Sequence, residues 1–149
     1  HCAGGVGDPF TARFCWALGR GKQLDVPAMS EAATLLTGVH DFSSFAVRSA
    51  DDPRSPIKRM YSLQVQRKVS ASGEPGPFSM TAGGDLVTIT ATCDRFLQYM
   101  MRMISGTLVQ VGLGRLSVAS VEQLLARPSS AKSAAGTQPY KAPARGLCL

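Results

Sequence analysis

The sequence predicts an α+β fold: a mainly antiparallel sheet with helices packed on one face. Three observations lead there. Residues 57–69, with basic side chains interleaved, and 85–93, rich in Val, Ile and Thr, flank turn chemistry at 70–77 and read as successive strands. Apolar residues recur at helical spacing in 29–36 and 118–125, and 96–111 reads as one long apolar helix. These strands and helices follow one another without the regular alternation of a doubly wound parallel sheet. At 149 residues, the chain can bury a real core in one domain.

Taken in order, Phe10, Ala12, Phe14, Trp16 and Leu18 alternate as one face of a half-buried strand. Asp25 offers a side-chain cap to a short helix carrying Met29, Ala32, Ala33 and Leu36, with Gly38 as its stop signal. His40–Phe45 follows, then a polar loop with Asp51, Asp52, Pro53 and Pro56. Beyond the two strands and the long helix, residues 118–125 form a shorter amphipathic helix. Residues 128–145 are rich in Ser, Ala and Pro and read as irregular, and the closing Gly146–Leu149 is short and apolar like a final strand. There is no internal repeat.

Sixteen Lys and Arg against ten Asp and Glu give a net charge of +6, a sign that favours polyanions such as nucleic acid. Basic residues gather in two regions: Arg48, Arg54, Lys58, Arg59, Arg67 and Lys68, then Arg115, Arg127, Lys132, Lys141 and Arg145. A solvated face is the plain alternative for either. The four cysteines lie far apart and form no C-x-x-C pair, which argues against a zinc site. They read as small apolar residues in a reducing, hence intracellular, compartment. His1 is not an initiator methionine and no signal peptide follows, so a fragment or processed chain is expected.

Arg102 is the residue hardest to explain by packing. It is the only formal charge between Phe96 and Gly114, set among Met100, Met101, Met103 and Ile104. A helix apolar on all sides is normally buried, and a buried guanidinium needs a hydrogen-bonding or acidic partner because it cannot lose its proton. Three readings follow. Arg102 could snorkel, with its stem on apolar surface and its head in water. A membrane span fits poorly, since Gln98, Gln110 and a central arginine interrupt it. The third is an active-site arginine holding a carboxylate ionised; the acids of this chain fall mostly in loops, so that carboxylate is expected from another segment.

Four collinear stretches carry a family resemblance over almost the whole chain. FLQYMMRMISGTLVQVGLG (Phe96–Gly114) resembles the signature of the tRNA pseudouridine synthase A (TruA) family: Phe-Leu, Met-x-Arg, Gly-Thr-Leu and Val-Gly-x-Gly at fixed spacing. GVHDFSSF (Gly38–Phe45), SPIKRMYSLQV (Ser55–Val65) and APARGLCL (Ala142–Leu149) are similar to three further family motifs in the same order. The sequence departs from the pattern at Asp94-Arg95, where the family has Gly before Phe-Leu. It departs again at Gln98 in place of an aromatic, and at Met101 in place of Val.

The resemblance implies a TruA-like C-terminal catalytic and RNA-binding domain over residues 1–149. Its partner would be an N-terminal half bearing the catalytic aspartate, in an Arg-Thr-Asp-x-Gly-Val-His-Ala motif that these residues do not contain. It implies isomerisation of uridine to pseudouridine in tRNA or other structured RNA, with no cofactor, no metal, no membrane and a typical homodimer. Arg102 then matches the arginine that pairs with the catalytic aspartate, and Leu147 a leucine lining the base pocket. Phe96, Tyr99, Arg59 and Lys58 complete the expected substrate-binding set, and Asp41 is read as a structural cap. A flipped base needs an apolar wall and phosphate-binding charge around it. The runner-up is a TruA-like RNA-binding or structural component of a ribonucleoprotein that has lost its chemistry.

Overall fold

The computed structural model describes residues 2–3, 15–18, 22–47, 53, 55–68, 85–126, 138–144 and 147. Its sheet is antiparallel throughout, in the order β1 (Cys2–Ala3), β4 (Asp85–Cys93), β3 (Ile57–Lys68), β2 (Gly38–Asp41). Three helices join it: α1 (Val26–Leu35), α2 (Met100–Gly112) and α3 (Val118–Ala126). The predicted α+β class is what forms. The strand expected at 57–69 forms over Ile57–Lys68, Val69 lying outside the described residues, and that at 85–93 appears with the boundaries predicted.

The β3–β4 pair sets the geometry of everything above it. The register slips between Met60 and Ser62, which leaves Tyr61 as an extra residue in β3. That bulge changes the phase of the strand. Met60 before it and Leu63 and Val65 after it turn to the helices, whereas Gln64 and Gln66 stay in water. Across β4, Val87, Ile89 and Ala91 join the covered face, and Thr90 and Thr92 the solvated one.

Helix α1 lies against β3, and α2 and α3 pack on α1. Asp25 caps α1 as expected, its carboxylate accepting the Ala28 N–H at 3.0 Å, and Met29, Ala32, Ala33 and Leu36 are all buried. Ile104, Leu108 and Val111 of α2, Val121 of α3, and Phe42 and Phe45 complete one continuous core. Gly112 lets the two helices meet, because a β-carbon there would come within 2.6 Å of Met29 Sδ.

Several expectations change. Of the strand expected at 10–18, residues 10–14 lie outside the described residues. In 15–18 only Leu18 makes a bridge, and Cys15 and Leu18 are the buried pair, a spacing of three rather than two. The helix expected from Phe96 begins at Met100, because Tyr99 is left-handed at φ 63°. It is also not buried all round, since Met101, Arg102, Met103, Ser105 and Gln110 are only half-buried. Leu147 lies outside any strand, and its neighbours Gly146, Cys148 and Leu149 fall outside the described residues, as do the expected turn at 70–77 and Arg48, Arg54, Arg127, Lys132 and Arg145. No helix among the described residues is long and apolar enough to cross a membrane.

Candidate active site at the start of helix α2

The site is built on the turn that enters α2. Leu97 and Met100 are both buried, so the chain between them must turn sharply, and the Met100 N–H reaches back to the Leu97 carbonyl at 3.1 Å. Phe96 and Tyr99 are thereby thrown outward, 37% and 38% exposed. Tyr99 is the one non-glycine residue with positive φ among the described residues. For an L-residue that conformation costs about 1–2 kcal/mol. Strain held in place at an aromatic beside a cation is a mark of a functional site.

Arg102 stands in the first turn of the helix and its side chain is fixed by a neighbouring segment. Its Nε donates to the Ala142 carbonyl at 2.8 Å, and the Ala142 N–H donates to the Arg102 carbonyl at 2.9 Å. This reciprocal pair can form because residue 106 is glycine. A β-carbon at Gly106 would overlap the Tyr140 carbonyl oxygen and stand 2.8 Å from the Ala142 nitrogen. The guanidinium carbon lies 5.3 Å from the Tyr99 ring centroid, and Lys141 Nζ lies 4.6 Å from the same centroid. Next to Lys141, Tyr140 stacks on Trp16 with centroids 6.0 Å apart and planes 11° from parallel.

Arg102 is half-buried, and its described partners are a carbonyl and a ring face, not a carboxylate. Of its five N–H groups, only the one on Nε is engaged with a described residue. The four on the Nη nitrogens form the edge that suits a planar carboxylate.

The other expected residues are not gathered equally. Arg59 points to the open face of the sheet, across from Val39, whereas Lys58 shares the side of Met60 and lies across from His40. Adjacent strand residues therefore divide between two faces. Leu147 is 40% exposed, with its N–H on the Ala144 carbonyl at 3.3 Å. Arg67, counted among the basic residues, reaches the Leu24 carbonyl at 2.6 Å. Asp41 accepts the Ser43 N–H at 2.8 Å, a local structural turn rather than the helix cap read for it.

Two features have no clear signal in the sequence. Lys141 is one basic residue in a second group, and nothing in its spacing places it on Tyr99. Asp94, a departure from the family pattern, closes the end of β4. Its carboxylate accepts the N–H groups of Arg95 at 2.7 Å and Arg59 at 3.2 Å, and the Cys93 thiol at 3.2 Å. The Cys93 hydrogen bond is the main reason its carboxyl sits below the usual range; desolvation opposes it, and those two N–H groups and the charge of Lys58 add to the lowering. Burial, by contrast, pushes the Cys93 thiol upward.

Residues 32–149 match the family model described as tRNA pseudouridine synthase. The tRNA pseudouridine synthase A of Moorella thermoacetica is 36% identical over 144 residues, covering 97% of this chain and 49% of that protein. That of Ralstonia nicotianae is 38% identical over 107 residues, covering 71% and 33%. The mouse tRNA pseudouridine synthase-like 1 is 37% identical over 144 residues, covering 94% and 46%. The chain thus spans from a third to a half of the length of these relatives.

Proposed function

The chain belongs to the tRNA pseudouridine synthase family, and on that footing we propose that it is the C-terminal part of an enzyme that isomerises uridine to pseudouridine in tRNA. The bond from N1 of the base to C1′ of the ribose breaks, the base turns, and C5 bonds to C1′. The proton leaving C5 is matched by one gained at N1, so atoms and oxidation state balance without a co-reactant. A carboxylate from the N-terminal half performs the attack or proton abstraction, and this chain supplies the arginine that orients it.

The observation that supports this role is the division of labour within the Arg102 guanidinium. Its Nε is tied to Ala142, which fixes the plane, while the Nη edge engages no described residue. A carboxylate received there within about 4–6 Å has its pKa lowered by roughly 1–3 units and stays ionised. Phe96, Tyr99 and Leu147 supply exposed apolar surface for a flipped base. Arg59 offers charge for phosphates on one sheet face and Lys58 on the other.

The test is pseudouridine formation on unmodified tRNA transcripts, comparing this chain with the longer protein that carries the N-terminal half. Activity is expected in the longer protein alone. Within it, Arg102→Ala should lower turnover far more than tenfold while tRNA binding is largely kept. A variant keeping more than about a tenth of the rate would sink the role, since tenfold corresponds to only about 1.36 kcal/mol. Arg102→Lys separates the planar fork from the bare charge. No activity in either protein, with salt-sensitive RNA binding retained, would favour a non-catalytic RNA-binding component.

A further inference from the structure

Two cations share one ring at the start of α2. Lys141 Nζ is 4.6 Å and the Arg102 guanidinium carbon 5.3 Å from the Tyr99 centroid, so they lie no more than about 10 Å apart, one Debye length at 0.1 M salt. Their segments are tied together. Ala142, next to Lys141, is locked to Arg102 by two backbone-assisted hydrogen bonds, and Gly106 lets that segment press against the helix. The acids of the described residues near this end of the fold are engaged elsewhere, Asp94 on its own turn and Asp41 on Ser43. Like charges held together in this way repel until anions arrive.

A single carboxylate on the Nη edge of Arg102 neutralises one of the two charges and leaves the other. We infer that Lys141, held over Tyr99, binds a phosphodiester of the RNA backbone beside the nucleotide presented to Arg102. Lysine suits that role, because a flexible point charge tolerates the varied approach of a phosphate, where the planar fork of arginine suits a carboxylate. Tyr99 is the ring both cations share, and its backbone at that point is left-handed. Lys141 is therefore a substrate-positioning residue, distinct in role from Arg102. The inference rests on the reading of Arg102 as the partner of a catalytic carboxylate.

The experiment compares Lys141→Gln and Lys141→Arg with the unaltered full-length protein, measuring kcat, KM and tRNA dissociation constants across a salt series. Lys141 is exposed, so folding should be unaffected, and melting curves check this. Lys141→Gln is expected to raise KM and Kd several-fold and leave kcat within about twofold. It should also flatten the slope of log Kd against log salt by about 0.7–0.9, the loss of one phosphate contact. Lys141→Arg should restore all three. An unchanged salt slope in Lys141→Gln, or a loss confined to kcat, would overturn the assignment. If the unaltered protein makes no pseudouridine but its RNA affinity still depends on Lys141, the enzymatic reading fails and the phosphate site stands. If it is active and Lys141→Gln is silent, the phosphate site alone fails.

Discussion

The two ends of α2 are built on opposite terms. At the C-terminal end all four of the last carbonyls are satisfied. Val109 receives the Leu113 N–H, Gln110 those of Arg115 and Leu116, Val111 that of Gly114, and Gly112 that of Asp25, which is itself the cap of α1. The crossed pair from Gly114 to Val111 and Arg115 to Gln110 is a Schellman closure, with Gly114 at φ +68°. At the N-terminal end no side chain caps the helix, its entry residue is a left-handed tyrosine, and two cations gather on that ring. The helix positive pole meets positive charge there, the reverse of what stabilises a helix. One end closes the helix on the rest of the fold; the other gathers two cations on one ring, with no described side chain capping it.

The sharpest way to break this contrast is Arg102→Ala. It should all but abolish turnover in the full-length protein and move the melting temperature by only a few degrees, because one hydrogen bond to a carbonyl contributes about 1 kcal/mol. A collapse of stability alongside activity would mean that the N-terminal end is structural after all.

Gly106→Ala should come next. The new β-carbon cannot coexist with the Tyr140 carbonyl, so residues 140–142 must lift from the helix. The gain of about 1 kcal/mol in helix propensity offsets part of the cost, and global stability should change little. The local effect should be large: the Ala142 amide, which donates to Arg102, should lose its hydrogen-exchange protection, and KM for tRNA should rise as Lys141 leaves Tyr99. An Ala142 amide that stays protected in this variant would show that the packing at Gly106 does not seat the segment.

The same contrast explains which parts are legible from sequence. Strands β3 and β4 and helix α1 can be read nearly to the residue because side-chain chemistry specifies them: interleaved polar and apolar residues, β-branched runs, and an aspartate at a cap. The entry to α2 is expected too early because Phe96 and Leu97 continue the apolar pattern, while the break is a backbone angle at Tyr99 that no side-chain type announces. Strand β2 has only four residues and is defined by its pairing with β3, so its own composition says little. Arg102 stands out because a lone charge in an apolar helix is a local anomaly. Lys141 does not, because its position depends on a contact between segments some forty residues apart, permitted by Gly106.

Gly114→Ala tests the stable end alone. Nothing lies within 4 Å of a β-carbon there, so the cost is the left-handed backbone, about 1–2 kcal/mol. Melting temperature should fall while kcat and tRNA affinity hold. A drop in turnover larger than the drop in stability would mean that closing the C-terminal end also positions the site.

The smallest expected effect belongs to the Asp94 turn, which lies between the two behaviours. It closes the end of β4 as a cap does, yet it immediately precedes the turn that carries Phe96 and Tyr99. Its carboxyl is held below the ordinary value of 3.8, chiefly by the Cys93 hydrogen bond and then by the N–H groups of Arg95 and Arg59. A depressed carboxyl stabilises the folded state above its unfolded pKa, and that contribution is lost as pH falls through the lower folded value. Asp94→Ala should therefore melt slightly below the unaltered protein at neutral pH, and the gap should close as the medium is acidified below about pH 4. A gap that persists or widens in acid would assign the difference to packing rather than to the charged form. If the variant also loses turnover out of proportion to its small loss of stability, the turn serves the unbalanced end of α2, and the boundary between scaffold and site lies upstream of Tyr99, at the end of β4.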